Sequence, residues 1–262
     1  MDKLFVIKIG GNVLDNDKAL ASFLKDFASI TEKKILIHGG GKIATRIGDK
    51  LGIVSKYNNG RRITDGPTLD LVTMVYGGLV NKQIVASLQS LKCNALGVTG
   101  ADGNLITAAK RPPKDVDYGF VGDIKASGLN QNLLSAILTL GIVPVFAPLT
   151  HADGKMLNTN ADTIASVLSV GMSGLFDVRL IYCFEKKGVL EDIANPSSAI
   201  RHLTKSNYQD LLARKAFAEG ILPKLENAYA AIDAGVQEVL IGEATDLLQN
   251  IGQRTEGTLI TA

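Results

Sequence analysis

Short, almost uninterrupted apolar runs alternate along this chain with stretches whose apolar residues recur at helical spacing. Leu4–Ile9 is wholly apolar apart from Lys8, Ile35–Ile37 is a second such run, and Lys18–Ile30 between them has an amphipathic helical pattern. Strands without polar alternation are buried on both faces, and strands separated by helices run parallel, so this order implies a mostly parallel sheet with both faces covered. The rhythm continues: Ile43–Leu51 reads as a helix, Leu69–Leu91 as a long helix with Gly77-Gly78 in its middle, and Ala95–Val98 as a strand. Leu133–Leu140 then reads as a helix, Ile142–Phe146 as a strand and Ala161–Val170 as a helix. Two segments break the pattern. Tyr57–Thr64 and Leu105–Ile124 are short, charged and turn-rich, and read as hairpins projecting beyond the strand ends, where open α/β folds commonly build their sites.

A second block begins near Asp177, with strands at Val178–Cys183, Val236–Ile241 and Thr258–Thr261. Its Tyr208–Asp233 stretch is mostly helical, with a break around Gly220 and Pro223. The expected organisation is two lobes, residues 1–175 and 176–262, sharing one continuous sheet.

At 262 residues, with 46% hydrophobic and 21% charged side chains, the chain can bury a substantial core, which argues against disorder. No apolar run approaches the ~20 residues of a membrane span, and the chain enters its first strand without a cationic leader, so a cytoplasmic protein with no membrane partner is expected. A net charge of +2, 5% aromatics and no Trp give nucleic acid little to bind, so no nucleic-acid partner is expected. Cys93 and Cys183 are isolated in apolar segments and read as buried thiols. His38, His151 and His202 do not form a spaced ligand set, so no protein-held metal is expected.

Glycine clusters stand where the first two strands stop. Lys8-Ile9-Gly10-Gly11 ends the first, and His38-Gly39-Gly40-Gly41-Lys42 ends the second. Glycines there leave backbone N–H groups able to close around an anion, and Lys8 is costly inside an apolar run unless it meets one. The second cluster lacks the GxxxxGK[ST] spacing of a Walker A loop, since Leu36 takes the first glycine position and Ile43 follows Lys42. Arg61 and Arg62 supply guanidinium forks suited to a carboxylate, and the sequence does not choose between them. Asn158-Thr159-Asn160-Ala161-Asp162 precedes an apolar helix and fits either capping by Asn160 or a polar-ligand site. Lys224 lies in an otherwise apolar segment and is ambiguous alone.

Taken in order, Lys8-Ile9-Gly10-Gly11, His38-Gly39-Gly40-Gly41, Asn59-Gly60-Arg61-Arg62-Ile63-Thr64, Leu157 to Asp162, Lys224 and Glu256-Gly257-Thr258 resemble the amino-acid kinase family over nearly the whole chain. The resemblance implies a three-layer αβα sandwich around a mostly parallel sheet, with acyl-amino-acid and phosphoryl sites in the first lobe and ATP in the second. It implies ATP as co-substrate, Mg²⁺ bound mainly through the nucleotide phosphates, and phosphoryl transfer to the γ-carboxylate of an N-acylated glutamate in arginine biosynthesis. N-acetyl is the first expectation, N-succinyl the alternative, and a catalytically weak amino-acid sensor the rival from another class. Carbamate, aspartate and uridylate acceptors are further rivals within the fold.

Carried over by resemblance, Lys8 and Lys224 neutralise the transferring phosphoryl and Asp162 holds those lysines. Gly10, Gly11 and Gly41 face the nucleotide phosphates. Gly40 and Gly41 flank the acyl-amino acid, whose carboxylate and amide regions meet Arg62 and Asn158. The chain departs from the family pattern at Cys183-Phe184-Glu185-Lys186-Lys187-Gly188, where a Ser/Thr-Asp-Val-x-Gly turn is usual. Lys110-Arg111-Pro112-Pro113 adds cations near the expected substrate lid. With Lys8 so near Met1, the resemblance points to the homodimeric, arginine-insensitive type, with Leu69–Leu91 as the candidate dimer face.

Overall fold

The structure, a computed structural model, describes residues 1–58, 60–191, 195, 198–214 and 221–262. Asn59 and the expected helix break at Gly220 lie outside the described residues. In chain order the strands are β1 (Lys3–Ile9), β2 (Lys33–Ile37), β3 (Lys56–Asn58), β4 (Arg61–Ile63), β5 (Ala95–Val98), β6 (Ile106–Lys110) and β7 (Gly122–Leu129). They continue as β8 (Val143–Phe146), β9 (Leu149–Ala152), β10 (Lys155–Asn158), β11 (Asp177–Phe184), β12 (His202–Leu203), β13 (Glu238–Glu243) and β14 (Thr258–Ile260). The α-helices are α1 (Gly11–Leu14), α2 (Asp17–Ser29), α3 (Gly41–Lys50), α4 (Gly66–Val72), α5 (Asn81–Ser90), α6 (Gln131–Thr139), α7 (Ala161–Met172), α8 (Lys205–Ala213), α9 (Leu222–Asp233) and α10 (Leu247–Asn250).

The chain groups into two compact units, Met1–Lys34 with Leu168–Ala262, and Ile35–Val167. This grouping does not follow a division at residue 175. β1 pairs in parallel with β11 along its whole length, from Lys3 opposite Asp177 to Ile9 opposite Cys183, which ties the first segment to the last.

In the first unit β1, β11 and β13 are mutually parallel, and β14 is antiparallel to β13 and parallel to β12. β1 is buried from Leu4 to Ile9, as its unbroken apolar sequence requires. α2 turns Phe23, Leu24 and Phe27 inward, each such side chain contributing about 1.5–3 kcal/mol by leaving water. Asn16 caps its start, accepting from the backbone N–H of Lys18 and Ala19 at 3.1 Å. Lys34 closes its end: the ammonium donates to the carbonyls of Ala28 and Ile30 and lies 5.2 Å from the Phe27 ring, a cation at the negative end of the helix dipole.

In the second unit β2, β8 and β5 run parallel. The two expected hairpins are present, as β3–β4 and as β6–β7 with a register shift between Ile106 and Ala108. A third pair, β9–β10, joins β6 through a parallel bridge at Thr107 and His151. The expected long helix spans Gly66–Ser90, but its centre, Thr73–Val80, is π-helical and contains both Gly77 and Gly78. By length and hydropathy alone it passes as a membrane span, although no uninterrupted apolar run of that length is present in the sequence, and 44% of its most apolar window is buried within the protein. The π segment also brings Tyr76 against the Gly39–Gly41 turn: a Cβ at Gly40, where φ is +147°, would sit 2.8 Å from the Tyr76 ring.

Candidate active site

Each unit presents one constellation. In the first, β1 and β11 end side by side. Parallel register places Lys8 opposite Tyr182, and the period of two puts Phe184 on the same face as Tyr182. The Lys8 Nζ accordingly lies 5.3 Å from the Phe184 ring centroid. Lys224 enters from the first turn of α9, placing its Nζ 3.5 Å from the same centroid. Gly10 leaves β1 in extended conformation, donates to the Cys183 carbonyl at 3.0 Å and precedes α1, whose first turn has no side-chain cap. A Cβ at Gly10 would press on the Cys183 carbonyl at 3.3 Å, whereas one at Gly11 would meet nothing within 4 Å. Internal packing therefore does not demand glycine at position 11. Two ammonium groups beside uncapped backbone N–H groups form an anion-binding arrangement. Burial pushes the Cys183 thiol up to about 12 although Lys8 pulls it down, so it stays protonated and is no nucleophile near neutral pH.

In the second unit a pocket of about 260 Å³ is walled by Gly39–Gly41, Arg62, Tyr57, Tyr76, Tyr118 and Asn158–Ala161. Arg62 is buried, with 7% exposure. Its guanidinium donates to the Gly41 carbonyl at 2.8 Å, to Thr45 Oγ1 at 2.9 Å and to Ser55 Oγ, and lies 4.8 Å from the ring of Tyr57. The β3–β4 register explains that stack, since Tyr57 stands opposite Arg62. Thr45 also bonds the Tyr57 hydroxyl at 2.8 Å, so the fork is held flat against the pocket wall.

Asn158 donates from Nδ2 to Thr64 Oγ1 at 3.0 Å and from its backbone N–H to the Phe120 carbonyl at 2.9 Å. The segment before β7 is laced to the residue following β4 as well, with the Thr64 and Phe120 N–H groups bonding the Tyr118 and Thr64 carbonyls at 2.9 and 2.7 Å. The sequence reading of Asn160 as a cap holds: its Oδ1 accepts from the N–H of Asp162 and Thr163 at 2.7 and 3.2 Å. Asp162 sits in the first turn of α7.

The cations of the expected lid segment divide in use. Arg111 reaches the pocket wall but grips Asp123, with Nη2 to Oδ1 at 2.6 Å and Nε to both oxygens at 3.0 and 3.1 Å, and this bond raises its already high pKa. Lys110 lies on the Phe120 ring at 4.9 Å. Arg61 is exposed and lines both the pocket and an adjoining cavity of about 410 Å³ that also touches Asn58, Lys114 and Tyr118.

Sequence reasoning missed several parts of these walls: Ser55, Thr45, Tyr57, Tyr76 and the ring of Phe184. The Tyr57 pairing was available from the hairpin register. The Tyr76 contact depends on the π turn and had no local signal. Glu256-Gly257-Thr258 is structural within its unit: Gly257 passes so close to β13 that a Cβ would lie 2.6 Å from the Ile241 carbonyl, and the buried Thr258 hydroxyl donates to the Ile200 carbonyl at 2.6 Å and accepts from the Val189 N–H at 2.8 Å.

The amino acid kinase family model matches residues 3–243. The acetylglutamate kinase of Cytophaga hutchinsonii is 53% identical over 265 residues, covering all of both chains. The smu.665 structure from Streptococcus mutans UA159 aligns with a TM-score of 0.78 at 28% identity, over 99% of this chain and 98% of that one. The N-acetylglutamate synthase of Neisseria gonorrhoeae aligns with a TM-score of 0.82 at 22% identity, over 100% of this chain and 59% of that one, a likeness of fold. An α/β fold with mostly parallel strands, glycine turns after β1 and β2 and a family match over nearly its full length identify the chain as a member of the amino acid kinase family.

Proposed function

We propose that the chain is an acetylglutamate kinase, transferring the γ-phosphoryl group of ATP to the γ-carboxylate of N-acetyl-L-glutamate in arginine biosynthesis. The observation that carries this reading is the pair of ammonium groups, Lys8 and Lys224, gathered on one ring beside the Gly10–Gly11 turn. The 53% identity to an acetylglutamate kinase along its whole length supports the choice of acceptor. In the reaction a carboxylate oxygen bonds to Pγ as the bond from Pγ to the β,γ-bridging oxygen breaks, giving an acyl phosphate and ADP. The acceptor is already an anion, so no strong base is needed; the difficulty is bringing two anions together.

Lys8 and Lys224 supply positive charge to the phosphoryl oxygens, while the Gly11 N–H binds the nucleotide phosphates and Gly10, its own N–H held by the Cys183 carbonyl, shapes the turn beside them. In the second unit Arg62 meets the α-carboxylate, Asn158 the amide region, and Gly40 and Gly41 lie against acyl-amino acid and phosphate. Mg²⁺ travels on the nucleotide phosphates: the donors around Gly10–Gly11 are N–H and ammonium groups, which suit an anion, and the described residues include no cluster of three His, Cys, Asp or Glu that would hold a metal. When bound, the ion supplies further charge neutralisation at those phosphates.

A cytoplasmic location, where ATP is supplied, is part of the same proposal. A homodimer is proposed through the Gly66–Ser90 helix, where Met74 and Leu79 are exposed and a Cβ at Gly78 would meet nothing within 4 Å. A stable monomer by light scattering overturns that assembly.

Exposed Arg61, at the mouth of the adjoining cavity, favours a second reading in which the acyl chain ends in a carboxylate, as in N-succinyl-L-glutamate. Trapping the acyl phosphate with hydroxylamine, with kcat/KM measured for both acyl forms, tests the readings together. More than about tenfold preference for acetyl ends the succinyl reading, and ligand binding without hydroxamate from either supports a sensor instead.

A further inference from the structure

Buried residues follow one another at every fourth position along the Gly66–Ser90 helix, as Val72, Tyr76, Val80, Ile84 and Leu88. Steps of four overshoot the 3.6 residues of an α-helical turn by about 40° each, so such a row would wind out of the core within a few turns. The wider π turns over Thr73–Val80 take up that drift and keep the centre of the row inward. Four of these side chains are aliphatic and fill the core. The fifth, Tyr76, is only 5% exposed yet walls the pocket of about 260 Å³ together with Gly40 and Arg62. A Cβ at Gly40 would lie 2.8 and 3.1 Å from one edge of its ring, so ring and glycine turn fix each other's position. Burial pushes the Tyr76 hydroxyl above its ordinary pKa, with the Arg62 guanidinium beside it opposing, so it keeps its proton near neutral pH.

We propose that the Tyr76 hydroxyl is a second donor to the α-carboxylate that Arg62 grips, so that a guanidinium and a phenol together hold that end of the acceptor. The inference rests on the kinase reading given above. Three tyrosines stand in the pocket wall, and two have their hydroxyls engaged: Tyr57 with Thr45 at 2.8 Å and Tyr118 with Asn58 Oδ1 at 3.3 Å. Among the described residues the Tyr76 hydroxyl has no acceptor. Arg62, its polar neighbour, carries donors only, so the phenolic proton cannot go there. A buried donor left without an acceptor is costly, and a carboxylate in the pocket relieves that cost. Its two oxygens offer enough lone pairs for both partners. A second cation at this place would be repelled by Arg62, whereas a phenol adds a donor without adding charge.

The test is Tyr76→Phe in the full chain, which removes the hydroxyl and keeps the ring against Gly40. With MgATP, the KM for N-acetyl-L-glutamate is expected to rise about tenfold, the scale of one hydrogen bond to a charged group, while kcat and the KM for ATP change less than about twofold. The Kd of N-acetyl-L-glutamate, measured by calorimetry without nucleotide, is expected to weaken about tenfold as well. The Tm of the ligand-free protein is expected to stay unchanged, because the hydroxyl serves no protein acceptor. For 4-acetamidobutyrate, the same acceptor without its α-carboxylate, parent and variant are expected to share one kcat/KM. A tenfold difference with that compound would place the hydroxyl on another part of the acceptor and overturn the assignment. Unchanged KM and Kd for N-acetyl-L-glutamate would overturn it too, as would a loss matched by a lower Tm of the ligand-free protein, since the hydroxyl would then serve packing alone. Failure of the unsubstituted protein to form acyl phosphate while it binds N-acetyl-L-glutamate would instead count against the kinase reading, and the Kd comparison would then decide the role of Tyr76.

Discussion

The imidazole of His38 donates from Nδ1 to the carbonyl of its neighbour Gly39, 2.7 Å away. A carbonyl can only accept, so Nδ1 carries the proton and Nε2 accepts from Asn81 Nδ2 at 3.1 Å. The second Nδ2 hydrogen of Asn81 goes to the Val145 carbonyl at 2.9 Å, tying the Gly39–Gly41 turn to β8. Burial of the ring lowers its pKa from 6.5 to about 4, with Lys82 lowering it further and the Gly39 bond opposing. The unfolded chain therefore takes up this proton first as pH falls. The stabilisation is complete above pH 6.5 and is lost between there and about 4, by roughly 3 kcal/mol at most. Urea unfolding at pH 7 and pH 4.5 is expected to show a smaller pH loss in His38→Gln than in the parent. Equal losses would show that His38 does not titrate in this way.

Two glycines that look equivalent in sequence are expected to respond oppositely to alanine. A Cβ at Gly122 would lie 2.5 and 2.6 Å from the hydroxyls of Thr150 and Thr159, which bond each other at 2.7 Å in the interior. Gly122→Ala should cost about 1–3 kcal/mol through overpacking. Gly11→Ala meets no protein atom within 4 Å and should leave Tm unchanged or slightly raised, yet raise the KM for ATP by about tenfold by filling the space left for phosphate. Calorimetric melting with steady-state kinetics reads both. A destabilised Gly11→Ala protein with normal ATP kinetics would contradict the phosphate-turn assignment.

Arg62 is held by Gly41, Thr45, Ser55 and the ring of Tyr57, so its fork is oriented before any ligand arrives. Lysine cannot reproduce that planar set of donors. Arg62→Lys is expected to raise the KM for the acyl-amino acid by roughly tenfold or more, with little change in the KM for ATP. A rise confined to ATP would place the carboxylate elsewhere.

Much of the fold was legible because β1, β2, β11 and β13 are apolar without alternation and glycine follows β1 and β2, signals that depend only on local sequence. The arginine left open at the sequence level is resolved by burial: Arg62 is in the wall, whereas Arg61 is exposed at its rim. Other features required distant residues. The grouping of the first 34 residues with the C-terminal block follows from β1–β11 pairing, and loop-separated parallel strands leave no local trace. The π turn that brings Tyr76 to Gly40 interrupts a pattern that reads as ordinary helix. Arg111 looked available to a substrate carboxylate, but Asp123, twelve residues on, claims it across the β6–β7 hairpin.

The central claim, phosphoryl transfer driven by the lysines at the end of β1 and the start of α9, is tested most directly by Lys8→Ala. Acyl phosphate formation with saturating MgATP and N-acetyl-L-glutamate should fall by about 100- to 1,000-fold in kcat, the scale expected when a charge-stabilising donor is lost, while Tm stays close to that of the parent. A folded Lys8→Ala protein with near-parental kcat would contradict the account.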